Sequence, residues 1–207
     1  MKLLSTKNWR EFVFPKINPV IANLIYSDVL LVSGIGLVSP FFAIFLTQQI
    51  KGGNIEIAGI ATTIFLVTRS VGQIPISWVL DKIKGELDDY AGLLISTIFQ
   101  SLIYFLYIFI NQPWQIFVIE FFAGLLSSIS LSAWLAIFSR HIDHNKEGLE
   151  WGIYNTLTDI GSAITAGVGG VIVQNFGFRF IFIFVGIISI LGSLLILRIK
   201  PHIKKIS

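Results

Sequence analysis

Six apolar stretches, each long enough to cross a bilayer, limit what this chain can fold into. They fall at roughly 20–47, 56–80, 90–110, 114–139, 148–174 and 179–199, and a helical crossing needs about 20 mostly apolar residues. Inside hydrocarbon each backbone N–H and C=O must find its partner within the protein, so stretches of this length span as helices. The breaks between them, "QQIKGGNIE", "DKIKGELDDY", "NQPW", "RHIDHNKEGLE" and "NFGFR", are short and hold turn formers or charge. Such tight connections make neighbouring spans antiparallel. The expected fold is an all-α membrane protein, and the composition agrees: 54% hydrophobic and 13% charged residues, with a mean hydropathy of +0.80, are out of range for an ordinary soluble domain.

The basic residues predict the direction of the spans. If the N-terminus is cytoplasmic, that side holds Lys2, Lys7, Arg10, Lys16, Lys82, Lys84, Arg140, Lys146, Arg198, Lys200, Lys204 and Lys205, whereas the other side holds only Lys51 and Arg179. Lysine and arginine concentrate on the cytoplasmic side of membrane proteins, so both termini are expected there. The domain plan is then a basic cytoplasmic N-tail over 1–19, a six-helix transmembrane domain over 20–199 and a basic cytoplasmic C-tail over 200–207. Pro15 and Asn18 stand between the basic N-terminal residues and the first apolar run, and no small-residue cleavage site appears, which speaks against a secretory signal. Trp9, Phe12 and Phe14 suit either a tail resting on the membrane surface or a disordered one. The net charge of +3 lies beside apolar spans rather than on a folded patch, so no nucleic acid is expected as a partner.

Four ionisable residues fall well inside spans: Asp28 in the first, Arg69 in the second, Glu120 in the fourth and Asp159 in the fifth. Each costs about 2.5–3.5 kcal/mol on insertion scales, so such groups face a partner or a wet cavity. Asp28 and Glu120 are 92 residues apart, and Arg69 and Asp159 are 90 apart. This near-constant offset suggests that two three-helix units repeat one plan, inverted relative to each other about an axis in the membrane plane. At helical spacing, Gln73 and Ser77 share a face with Arg69. On the fifth span Gly169 and Gly170 accompany Asp159, and these glycines, with Gly161 and Gly167, are read as helix-packing positions. The third span offers only Ser96, Gln100 and Tyr104, and the sixth little beyond Gly186, Ser189 and Ser193. Those two spans are expected at the periphery.

No cysteine is present, so disulfides, thiol nucleophiles and thiolate metal sites do not arise. His141, His144 and His202 lie outside the spans, and no intramembrane serine–histidine, paired-aspartate or His-Glu-x-x-His pattern occurs. No enzymatic activity, metal or cofactor is expected.

Three stretches carry a family resemblance. "SGIGLVSPFFAIFL" (33–46) has glycines ahead of a proline that bends the outer end of a first helix. "SWVLDKIKG" (77–85) is a small residue, three others, Asp, a basic residue and then Gly. "AGVGGVIVQNFGFRFIFIFVGI" (166–187) is a glycine-rich helix, a Gly-aromatic-Arg turn and a Phe-rich helix. Together they make the chain, over roughly 20–199, resemble one half of a major facilitator superfamily transporter. The resemblance implies two six-helix halves, each an inverted pair of three-helix units, with the first, second, fourth and fifth helices of a half nearest the substrate path. It also implies a cytoplasmic gating signature at Ser77, Asp81, Lys82, Gly85 and Arg140. Ser77 stands where the family has Gly, Gly85 is displaced by Lys84, acidic Glu86 comes next, and Glu120 stands where the family often has Arg. On physical grounds Asp81 can be latched by a helix N-terminus, Lys82 or Arg140, and a solvated turn that only fixes topology accounts for the same residues.

The expected function is that of a secondary-transporter half, completed by a second copy in a parallel dimer or by another six-helix half, in the cell membrane among lipid. It would move a small-molecule substrate by alternating access with proton coupling. Asp28, Glu120 and Asp159 are the candidate proton carriers, Arg69 a fixed counter-charge, and Gln73 a further pathway residue. A six-helix scaffold that binds an unrelated partner is the alternative.

Overall fold

Asn18 opens the first helix, its Oδ1 accepting a hydrogen bond from the Val20 amide at 2.9 Å with Pro19 at the first helical position. The computed structural model describes residues 17–83 and 85–203. The expectations for Lys84 and for most of the two basic tails, including Trp9, Phe12 and Phe14, lie outside the described residues.

Six helical segments in that range are long and apolar enough to cross a membrane: Pro19–Gln49, Ile55–Lys82, Leu87–Leu106, Pro113–His141, Glu147–Phe176 and Phe178–His202. They are called the first to sixth spans below. Pro40, which has no amide hydrogen, falls where the first span breaks into a short 3-10 turn, Ser39–Phe41, before the helix resumes over Phe42–Gln49. Asn54 caps the second span by accepting from the Ile57 amide at 2.8 Å, and Gln112 and Gln115 form a reciprocal cap on the fourth. Gly177, at φ +82°, lets the chain turn from the fifth span into the sixth.

The second span packs most extensively on the fourth, the first on the fifth and sixth, and the third on the fourth and sixth. Two apolar clusters hold the bundle. One surrounds Leu46, Ile116, Ile181 and Phe182, and the other surrounds Ile21, Leu24, Ile137 and Phe138. One side of the bundle carries Asp81, Glu86, Arg140 and His141. On the other, the Lys51 amide donates to the Asn111 carbonyl at 3.0 Å.

Small residues set the closest approaches. A Cβ on Gly124 would stand 2.6 Å from the Phe65 carbonyl, and one on Gly72 would stand 2.7 Å from Ser128 Oγ. Between the first and fifth spans, Gly161 lies against Ser33, Gly169 against the Leu37 carbonyl and Gly170 against the Phe41 ring. Gly167 differs from the packing role read for it: a Cβ there would meet nothing within 4 Å, because the residue sits on the open side of its helix.

Ser77 Oγ donates to Ser132 Oγ at 2.8 Å, and Ser132 Oγ donates to the Gln73 carbonyl at 3.3 Å. Interhelical bonds of this kind contribute on average about 0.6 kcal/mol in membrane bundles. Ser132→Ala is therefore expected to lower stability by about that amount, read from the midpoint of a denaturing-detergent titration.

Candidate functional site

The first, second and fourth spans bring Asp28, Arg69 and Glu120 to one polar interior between the two apolar clusters. Asp28 lies nine residues beyond Pro19 and Glu120 seven beyond Pro113, which places them about 14 Å and about 10 Å from opposite ends of the bundle at 1.5 Å per residue. Arg69 is near the midpoint of its own span.

Each interior carboxylate is held by a tyrosine. The Tyr154 hydroxyl donates to Asp28 Oδ2 at 2.9 Å, and the Tyr107 hydroxyl donates to Glu120 Oε1 at 2.7 Å. Tyr154 is locked in an aromatic group with Trp134, Phe138 and Trp151. Tyr107 stacks on Phe182 with centroids 5.0 Å apart. Arg69 makes no ion pair within 4 Å and no side-chain hydrogen bond among the described residues.

Arg69 stands at the junction of two cavities. One, of about 330 Å³, reaches Asp28, Trp134 and Tyr154. The other, of about 430 Å³, reaches Thr62, Tyr107 and Glu120. Arg69, Gln100, Tyr104 and Ser127 line both. The third span is thus not peripheral to the polar interior as its sparse polarity suggested. It packs on the fourth, and that contact turns Gln100 and Tyr104 into the gap that the first and fourth spans leave between them. Gln73 and Asp159 line neither cavity. Gln73 is half-buried, its carbonyl engaged by Ser132, while Asp159 is exposed.

A second polar cluster closes one end of the bundle. Arg140 pairs through Nη1 with Asp89, which is fully buried, and through Nη2 with Asp81 at 3.5 Å. Lys82 does not hold Asp81. Its ammonium lies 3.4 Å from the centre of the Trp78 ring. Gly85 takes φ +102°, a conformation that glycine adopts without penalty, in the turn leading to the third span. His141 Nε2 faces Glu86 at 3.7 Å and His144 Nδ1 faces Glu147 at 3.5 Å, so the two histidines diverge rather than share a ligand. Sequence reasoning misses Asp89. Its signal is the acidic pair Asp88–Asp89 in the first turn of a span, where the carboxylate complements the helix dipole.

Six membrane-length helices around a polar interior define an integral, multi-pass membrane protein. The chain belongs to the Major Facilitator Superfamily, whose family model matches residues 27–206. It is 25% identical over 166 residues to an uncharacterized MFS-type transporter of Methanocaldococcus jannaschii, covering 78% of this chain and 40% of that protein. It is 28% identical over 141 residues to the proton-coupled antiporter flippase LtaA of Staphylococcus epidermidis, covering 65% of this chain and 34% of that one. With the multidrug resistance protein MdtG of Escherichia fergusonii it shares 23% identity over 181 residues, 84% of this chain and 42% of the other. The chain thus spans about two fifths or less of the length of these relatives. The crystal structure of the POT family transporter PepTSo superposes with a TM-score of 0.78 at 15% identity, covering 93% of this chain and 39% of that one, a likeness of fold.

Proposed function

We propose that this six-helix unit forms one wall of a secondary transporter that works by alternating access with a second six-helix unit, in the cell membrane, with both described ends of the chain on the cytoplasmic side. The exposure of Asp159 carries the reading. This carboxylate lies near the middle of the fifth span, with Asn155 exposed one turn away, and a charge left against acyl chains at that depth costs several kcal/mol. The second and fifth spans are also the least covered, with 11% of the apolar window buried in each against 39–50% in the other four. A second unit seated on them, or water between the two, relieves that cost. A second copy in a parallel two-fold dimer is the simplest such unit.

The packing order supports an inverted repeat. Exchanging the first three spans for the last three turns second-on-fourth into fifth-on-first, third-on-fourth into sixth-on-first, and leaves third-on-sixth unchanged. In the proposed cycle Asp28, Glu120 and Asp159 load and release protons as water reaches them from alternate sides. Arg69 stays charged throughout, and Gln73 lies on the face turned to the second unit. The Asp81–Arg140–Asp89 cluster, with Ser77, Lys82 and Gly85, latches one end.

Two differently tagged copies are expected to co-purify and to cross-link in membranes, and proteoliposomes are expected to show proton-linked uptake from a broad panel of small molecules. Arg69→Ala and Glu120→Gln should each lower that uptake at least about tenfold, the loss of one charged contact at roughly 1.4 kcal/mol or more. A fixed unrelated partner, with no uptake of any substrate, would establish the scaffold instead.

A further inference from the structure

We infer that the paired cavities around Arg69 form a binding site for an amphiphilic monoanion, a molecule with one acidic group and an apolar or aromatic body, which enters together with a proton. The inference rests on the transporter reading and names the substrate class it lacks.

Charge comes first. Asp28 and Glu120 each accept a tyrosine hydroxyl, while Arg69, the one cation lining either cavity, has no counter-ion within 4 Å among the described residues. A guanidinium offers five donors in a planar fork and keeps its proton, so an open one in a low-dielectric cavity selects a carboxylate, sulfonate or phosphate-type oxyanion. Gln100, Tyr104 and Ser127, which line both cavities beside it, add hydrogen-bonding groups around the same point.

Shape comes second. Volumes of about 330 and 430 Å³ on the two sides of Arg69 fall in the range of small-molecule sites. The walls away from Arg69 are largely apolar, with Trp134, Trp151 and Tyr154 on one side and Phe42, Phe65 and Phe182 on the other. Among the described residues the buried Trp134 Nε1 and Ser189 Oγ have no hydrogen-bond partner, although both residues line the first cavity.

Charge balance supplies the coupling. The charged or titratable groups facing the two cavities are Asp28, Arg69, Tyr104, Tyr107, Glu120 and Tyr154; the sixth span adds none, and Asp159 on the fifth lines neither cavity. A monoanion on Arg69 adds negative charge beside two carboxylates in a medium where such crowding is costly. It therefore seats with a proton on one of them. A dianion needs a proton on both carboxylates to leave the same net charge and so binds more weakly.

The test is calorimetric titration of the purified protein in lipid nanodiscs with benzoate, its neutral isostere benzamide and the dianion phthalate, each in two buffers of different ionisation heat. Benzoate is expected to bind with net proton uptake, and about tenfold or more tighter than either comparator, as a charge-assisted pair at a fixed cation implies. Arg69→Gln should abolish the preference for benzoate over benzamide while the thermal midpoint stays near that of the parent. Glu120→Gln and Asp28→Asn should each reduce the proton uptake while benzoate still binds. The inference is overturned by equal binding of benzamide, by unchanged binding in Arg69→Gln, or by no binding at millimolar benzoate. Uptake of neutral substrates without anion preference would sink this inference and leave the transporter reading standing. Anion binding without transport by any assembly would do the reverse.

Discussion

Arg140→Met is expected to destabilise the bundle by about 2–3 kcal/mol, through Asp89 rather than through Asp81. Asp89 is fully buried and its Oδ1 has no partner among the described residues, so Arg140 is what makes its charge tolerable there. Removing one member of a buried pair strands the other at about 3–5 kcal/mol. The expected loss falls at or below the bottom of that range because the Arg140 side chain is 32% exposed, so water can reach the site. Asp81, with its side chain 72% exposed, loses little. Asp89→Asn in the Arg140→Met background is expected to recover most of the loss, and Asp81→Asn to recover none. A double-mutant cycle followed by denaturing-detergent titration measures the difference, and equal recovery by both changes would contradict the assignment.

Gly124→Ala is expected to cost about 1–3 kcal/mol and to lower uptake as well, although alanine is the better helix former. The added Cβ would stand 2.6 Å from the Phe65 carbonyl, 3.0 Å from Thr68 Cβ and 3.3 Å from the Arg69 amide. A backbone carbonyl cannot rotate out of the way as a side chain can, so the second and fourth spans must separate, an overpacking cost of the size quoted. The same separation carries the Arg69 backbone away from the cavities it joins. Gly167→Ala is the control. With open space around it, it should leave bundle stability within about 0.5 kcal/mol of the parent. Thermal midpoints of the two variants, measured side by side, decide the matter.

The long-range order of this protein is legible in its sequence because hydrocarbon enforces it. Stretches such as 179–199 have no alternative to a helix, and short breaks such as "NQPW" leave no alternative to antiparallel neighbours. Asp28, Arg69 and Glu120 stand out because a charge within an apolar run needs a reason to be there. Their tyrosine partners do not. Tyr107 and Tyr154 sit among many aromatics, and nothing in a linear pattern says which hydroxyl meets which carboxylate across 13 or 126 residues. Gln100 and Tyr104 are hard to weigh for a related reason, since the polarity of a span counted along its own length says nothing of what stands opposite. Asp89 is hidden differently. A carboxylate in a charged loop reads as solvated until Arg140, 51 residues away, is seen to cover it.

That six helices cross a membrane, and which of their residues cannot face lipid, can be read from the linear chain, because the transfer cost of each side chain is local and additive along a span. That Arg69 lies between two tyrosine-held carboxylates with no ion-pair partner among the described residues, and that Gly124, unlike Gly167, has no room for a methyl group, emerges only in the packed bundle. Those outcomes depend on the rotation and depth of one helix against another, and that register is set by the packing of small residues and not by hydrophobicity.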